Sequence, residues 1–240
     1  MIRISKKLSL AGTALLASLA FSTTLMAKMS ADDILKKADD IRNPSESFRM
    51  LVKVKNSDGE TSKFEVSTLG KDKSLIKTLE PARDVGRNML MLEENMWVFI
   101  PNLNRSVRVS LNQKLTGEAA NGDISRTRWH GDYNTKIAKQ TDKAYVLFLD
   151  AKKKGLTYDK IRVWIDKKSY RPIKAEYLSL GGKTLKKAAF RAYKKIAGGM
   201  RPTEVLIKDA TRTKKTSLIK ILELEKKSYP ASMFNQTNLK

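Results

Sequence analysis

The sequence predicts a mainly β fold with α: one N-terminal helix, then an antiparallel sheet that meanders and curls around a single core. Three observations predict it. Apolar residues at helical spacing form one clear stripe, just after residue 30. Past Pro44 the apolar period changes to two. Turn residues then fall between most of the short alternating runs, as in a meander rather than in βαβ units.

The elements follow in order. Arg3, Lys6 and Lys7 precede an apolar run from Leu8 to about Phe21, and a polar segment ends at Ala27. A basic start, a short apolar middle and a small final residue describe a secretory signal peptide. The apolar run, about 14 residues, is shorter than the roughly 20 needed to span a bilayer. Residues 1–27 are therefore expected to be removed on export, leaving residues 28–240 as one domain in the periplasm. Ser30 can cap a helix, with Asp32 and Asp33 at its positive end. Ile34, Leu35, Ala38 and Ile41 make its apolar stripe, Asp39 and Asp40 are expected on its exposed side, and Asn43-Pro44 stops it.

Phe48, Met50, Val52 and Val54 then alternate with Ser47, Arg49, Leu51 and Lys53. The turn Asn56-Ser57-Asp58-Gly59 leads into Phe64, Val66 and Thr68, giving a hairpin of half-buried strands. Further strands are expected over 75–79, 88–92, 96–100, 106–110, 135–139, 144–151, 160–166, 172–180, 184–193, 203–208 and 216–224. Residues 111–134 break the pattern, with little alternation and three glycines. A long irregular stretch inside a curled sheet is uncommon and is usually either functional or disordered. It carries Leu115, Ile124, Trp129 and Tyr133, so it is read as a helical or loop lid over one mouth of the sheet.

Charge and composition narrow the chemistry. The net charge is +23, of which Arg3, Lys6 and Lys7 contribute three, so residues 28–240 hold +20. Such a charge favours anionic partners, and export argues against nucleic acid among them. Cysteine is absent and His130 is the only histidine. Disulfides, a lipid-anchoring cysteine and a His/Cys zinc site are thereby excluded. No G-x-S-x-G elbow or Gly-rich phosphate loop occurs. Glu93 and Glu94 would point to opposite faces of a strand. No catalytic residue, cofactor or metal is assigned, and the chain is read as a monomeric binding protein rather than an enzyme.

What remains is apolar. Met89 to Leu92 and Met96 to Ile100 are apolar throughout, so both faces of these strands are expected to be covered. Methionine and aromatic side chains suit an adaptable greasy pocket.

These segments carry a resemblance. Gly86-Arg87-Asn88-Met89-Leu90-Met91-Leu92, Asn95-Met96-Trp97-Val98-Phe99-Ile100-Pro101 and Arg105-Ser106-Val107-Arg108-Val109-Ser110 resemble the core of the outer-membrane lipoprotein-sorting family, the LolA-like proteins. So do Gly122-Asp123-Ile124-Ser125-Arg126, Gly131-Asp132-Tyr133, Arg162-Val163-Trp164-Ile165-Asp166, Arg171-Pro172-Ile173-Lys174-Ala175-Glu176 and Pro230-Ala231-Ser232-Met233-Phe234. The resemblance implies an unclosed, strongly curved antiparallel β-barrel of about eleven strands with helices plugging its concave face. It implies a carrier that shelters acyl chains of lipoproteins or free lipids between an inner-membrane transporter and an outer-membrane acceptor. On that expectation Met89, Met91, Trp97, Phe99, Trp164, Tyr177 and Phe190 line the concavity. Lys71, Lys73, Arg105 and Arg108 are expected to meet headgroups or a docking partner; Lys71 and Lys73 are the basic positions nearest to the functional early-strand arginine of the carriers. Some relatives of this fold instead sense lipid signals and regulate an anti-sigma factor, or partner a membrane exporter. An envelope sensor or accessory protein without cargo is thus the alternative.

Overall fold

A computed structural model describes residues 29–44, 46–212 and 214–240. The expected signal peptide lies outside the described residues. Helix α1 spans Ala31–Arg42. The Ser30 hydroxyl accepts from the Asp33 amide at 3.1 Å, and Asn43 closes the other end by donating to the Asp39 carbonyl. Strands β1 (Ser47–Asn56), β2 (Thr61–Leu69), β3 (Lys73–Glu80), β4 (Met89–Leu92), β5 (Asn95–Ile100) and β6 (Arg105–Val109) follow. Two short strands, β7 (Lys114–Thr116) and β8 (Ala119–Ala120), pair with each other and lead into the one-turn helix α2 (Asn121–Ser125). The chain then resumes with β9 (Tyr133–Gln140), β10 (Ala144–Ala151), β11 (Lys160–Asp166), β12 (Pro172–Leu178), β13 (Thr184–Ile196), β14 (Gly199–Asp209) and β15 (Thr216–Lys226).

The main sheet has 13 strands in the order β6-β5-β4-β3-β2-β1-β15-β14-β13-β12-β11-β10-β9. This corrects the expected count of about eleven. Two antiparallel meanders run outward from the centre, where β1 pairs with β15. Their free edges are β6 and β9, so the sheet is not closed.

It is nevertheless strongly curled. The β4–β5 turn and the β10–β11 turn lie nine strand positions apart, about 40 Å in a flat sheet. Yet Glu94 of the first turn forms an ion pair with Lys153 of the second. Register shifts in β1, β10, β11 and β12 contribute to the bending, because each bulge adds local twist.

One face of the sheet is the inner one. Its core joins Ile34 and Leu35 of α1 to Phe48, Met50, Val52, Val66, Ile76, Met91, Leu147, Ile161, Val163 and Phe190, among others. The opposite face of β2–β5 carries a second, smaller cluster. There Leu90, Trp97 and Phe99 lie under Tyr229, Phe234 and Leu239 of the C-terminal tail. The connection from β6 to β9 joins the two free edges, so it has to bridge the opening between them. It does so across the inner face, and α2 lies against β2 and β3.

Candidate functional site

The inner face is mainly apolar because residues of one parity on most strands are aliphatic or aromatic, with Ser74 and Thr78 of β3 among the buried polar exceptions, and it is covered by two elements. Helix α1 lies against β9 and β14; the segment from Leu111 to Asp132 lies beside it. What pins these covers is polar. Asp39 of α1 is fully buried. Its carboxylate accepts from the amides of Trp129 and His130 at 2.6 and 2.7 Å, and from Arg42 at 3.2 Å. Burial raises its pKa above the ordinary 3.8, and Arg42 with the two amides opposes that rise. Asp39 was expected on the exposed side of the helix. Its place four residues after Leu35 puts it on the buried stripe instead.

A second anchor sits on the other side. Arg126, 6% exposed, reaches Asp132 at 2.6 Å and the Glu93 carbonyl at 2.6 Å. Lys71, on the β2–β3 turn, reaches the same Asp132 at 3.2 Å. The bridging segment is therefore tied to α1 by one carboxylate and to the turns of the N-terminal meander by another. Arg201 of β14 fixes α1 itself, donating to the carbonyls of Asp40 and Ile41, both at 2.9 Å.

Between the covers and the sheet the interior is nearly filled. The Arg42 guanidinium lies 3.8 Å over the Trp129 ring, and Trp129 meets Phe190 edge-on at 6.0 Å. Tyr158 stacks on Tyr177 at 3.9 Å. Asp123 turns its carboxyl inward to accept from Tyr158 at 2.9 Å and from the Ala120 amide at 2.8 Å. Burial raises the Asp123 pKa, and the nearby Lys186, itself lowered by burial, opposes the shift. Two small cavities of about 40 and 50 Å³ flank Arg42, Asp123 and Phe190. A larger open cleft of about 330 Å³ lies between β2–β6 and the start of the bridging segment. Phe64, Met89, Val98, Val109 and Leu115 give it apolar walls, while Glu60, Glu80, Arg83, Arg87 and Lys114 ring its mouth.

The residues expected at the site divide by face. Met89, Met91, Tyr177 and Phe190 are in the inner core. Trp97 and Phe99 are not: they pack on the opposite face under the C-terminal tail. Trp164 also faces outward, alternating with the inward Ile161, Val163 and Ile165. Leu115, Ile124 and Trp129 of the bridging segment pack in or against the inner core; Tyr133, expected in the lid, instead opens strand β9 and packs in the same core. Lys71 belongs to the Asp132 anchor, Lys73 opens β3, Arg105 is exposed on edge strand β6, and Arg108 of that strand bonds to Asn95. His130 pairs with Asp32 at the rim, 2.9 Å away. Asp39, Arg42, Asp123 and Arg126 were not expected at the site; for Asp39 and Arg42 helical position is the only sequence signal, whereas Asp123 and Arg126 lie in a segment that carries the family resemblance.

The architecture can be matched to known proteins. A LolA superfamily protein from Nitrosomonas europaea superposes with a TM-score of 0.83 at 33% identity, over 88% of this chain and 100% of that one. The chain belongs to the LolA superfamily. A family model described as an uncharacterized protein matches residues 70–240. Two solved structures share the superfamily fold at lower identity. One, described as an outer membrane lipoprotein-sorting protein domain from Vibrio parahaemolyticus, has a TM-score of 0.69 at 22% identity, covering 87% of this chain and 97% of that one. The other, a DUF1329 family protein from Desulfovibrio piger, has a TM-score of 0.72 at 20% identity, covering 88% of this chain and 98% of that one. A search of curated proteins found no match.

Proposed function

We propose that this LolA superfamily protein is a periplasmic carrier that shelters the acyl chains of lipoproteins or free lipids against the inner face of its sheet. The observation that carries the reading is the way that face is covered. The apolar inner face is closed by a helix and a bridging segment held through a few polar anchors, not by continuous strand pairing. The open cleft, at about 330 Å³, falls in the range of ligand pockets and shares Met89 with the inner core. The two interior cavities are too small for an acyl chain, so loading requires α1 and the bridging segment to move apart. Burial of a chain supplies about 0.8 kcal/mol per CH₂. A chain of about 14 carbons therefore provides on the order of 10 kcal/mol, against which the broken anchors and the ordering of the lipid count.

Native mass spectrometry of the protein isolated from a periplasmic extract tests the reading, together with titration by a fluorescent fatty acid. Bound lipid, and a Met89→Lys variant that stays folded but no longer takes up the probe, are expected. Protein that is empty and also fails to bind the probe sinks the proposal. The nearly filled interior favours a second reading, an envelope accessory protein that docks another protein and carries nothing. A stoichiometric protein partner recovered with no retained lipid would select it.

A further inference from the structure

The outer face of β9–β13 is covered by nothing among the described residues, and its composition is unusual for a merely solvated surface. Lys136, Phe148, Arg162, Glu176 and Lys187 are cross-strand neighbours on five successive strands. Beside that row lie Trp164 and its partner Lys174. Phe148 and Trp164 belong to neither packed cluster, and Ile173, which precedes Lys174 in the chain, is 44% exposed.

The charges of this row are left largely unneutralised. Glu176 is shared by Arg162 at 3.0 Å and Lys187 at 3.9 Å, two cations to one carboxylate. Lys136 lies over the Phe148 ring at 5.1 Å, and Lys174 over the Trp164 ring at 4.4 Å. Those two lysines meet ring faces where a carboxylate would have cancelled their charge.

From this juxtaposition of half-buried outward-facing rings and unneutralised cations on β9–β13, we infer that the outer face is a docking surface for a bilayer carrying anionic headgroups. The chemistry matches at both levels of such an interface. Aromatic and aliphatic bodies settle at headgroup depth, while lysine and arginine stems extend to the phosphates. Each cation adds attraction to an anionic leaflet that falls off within a Debye length. A nucleic acid fits less well. Base stacking needs free ring faces, and here each ring already has an ammonium on one of them. The surface lies on the side of the sheet away from the inner core, so the inference does not depend on what that core holds.

Co-sedimentation with vesicles of equal parts phosphatidylglycerol and phosphatidylcholine tests it, with phosphatidylcholine vesicles alone for comparison. Binding is expected only to the anionic vesicles, weakening with salt. The variant Lys136→Glu/Lys174→Glu/Lys187→Glu is expected to lose it by at least about fivefold for each cation reversed. A control reversing Lys77, Lys227 and Lys240, on β3 and the C-terminal tail, carries the same net charge and is expected to retain binding. Trp164→Ala is expected to weaken binding without changing its salt dependence, and thermal melts verify that each variant folds. Equal binding to both vesicle types, equal loss in the control, or retention by a single-stranded oligonucleotide with no vesicle binding would overturn the inference.

Discussion

Asp39 is the residue on which the closed state turns. It holds the amides of Trp129 and His130 and the Arg42 guanidinium at once. Asp39→Ala strands all three, and breaking one partner of a buried ion pair costs about 3 kcal/mol; thermal melts check this. The Asp39 carboxyl also gives a pH signature. Its folded-state pKa is raised, so the folded protein binds this proton more readily than the unfolded chain. Its contribution to stability is therefore most favourable in acid and declines as pH rises from near 3.8 toward neutrality. The melting temperature of Asp39→Asn, which cannot titrate, should gain on that of the wild type over the same span. A difference that does not change with pH would refute this. The position was legible in principle, since Asp39 follows Leu35 by one helical turn, but a carboxylate reads as solvent-facing until its partners are known. Trp97 and Phe99 teach the same lesson for strands. Leu92 pairs with Asn95 across a two-residue turn, which sets Met91 beside Met96 and Leu90 beside Trp97. That turn length, visible in the sequence, already puts Trp97 and Phe99 on the face opposite Met89 and Met91.

At the scale of elements, most strands were readable because period two and turn residues agree. The 13 strands of the main sheet correspond to the 13 segments expected as strands, 11 of them read from alternation and turns and two, 88–92 and 96–100, from the continuous apolar runs Met89 to Leu92 and Met96 to Ile100. The bridging segment was recognisable only as a break in that pattern, because its order comes from contacts far away in sequence. Gly122 of α2 is one of them. A Cβ there would overlap the side chain of Thr157, on the loop after β10. Gly122→Ala should therefore push α2 off the sheet and cost about 1–3 kcal/mol, measured by urea denaturation. Hydrogen exchange offers a second check at this scale. Amides of residues 111–132 should exchange well before those of β1 and β15, since opening there breaks a few anchors whereas the central ladder opens only with the whole sheet. Equal protection in both regions would argue against a cover that moves separately.

For the whole molecule, curling brings turns from opposite meanders into contact, where Lys153 pairs with Glu94, and Arg126 of the bridging segment ties to the same β4–β5 turn through the Glu93 carbonyl. None of this closure could be read from any one segment. The central pairing of β1 with β15 has a consequence in time. The first strand made waits, one side unpaired, for the last. Residues 47–109 can form their own meander early, but its inward face has no opposite wall until β15 docks and brings the other meander with it. Contacts across such a span are slow to form, and the waiting chain exposes an apolar surface and a bare strand edge. A chain ending before Thr216 should therefore accumulate as two unjoined half-sheets that a protease cleaves readily. The strand that is synthesised last acts as the keystone, and the newborn chain depends on protection from aggregation until it arrives.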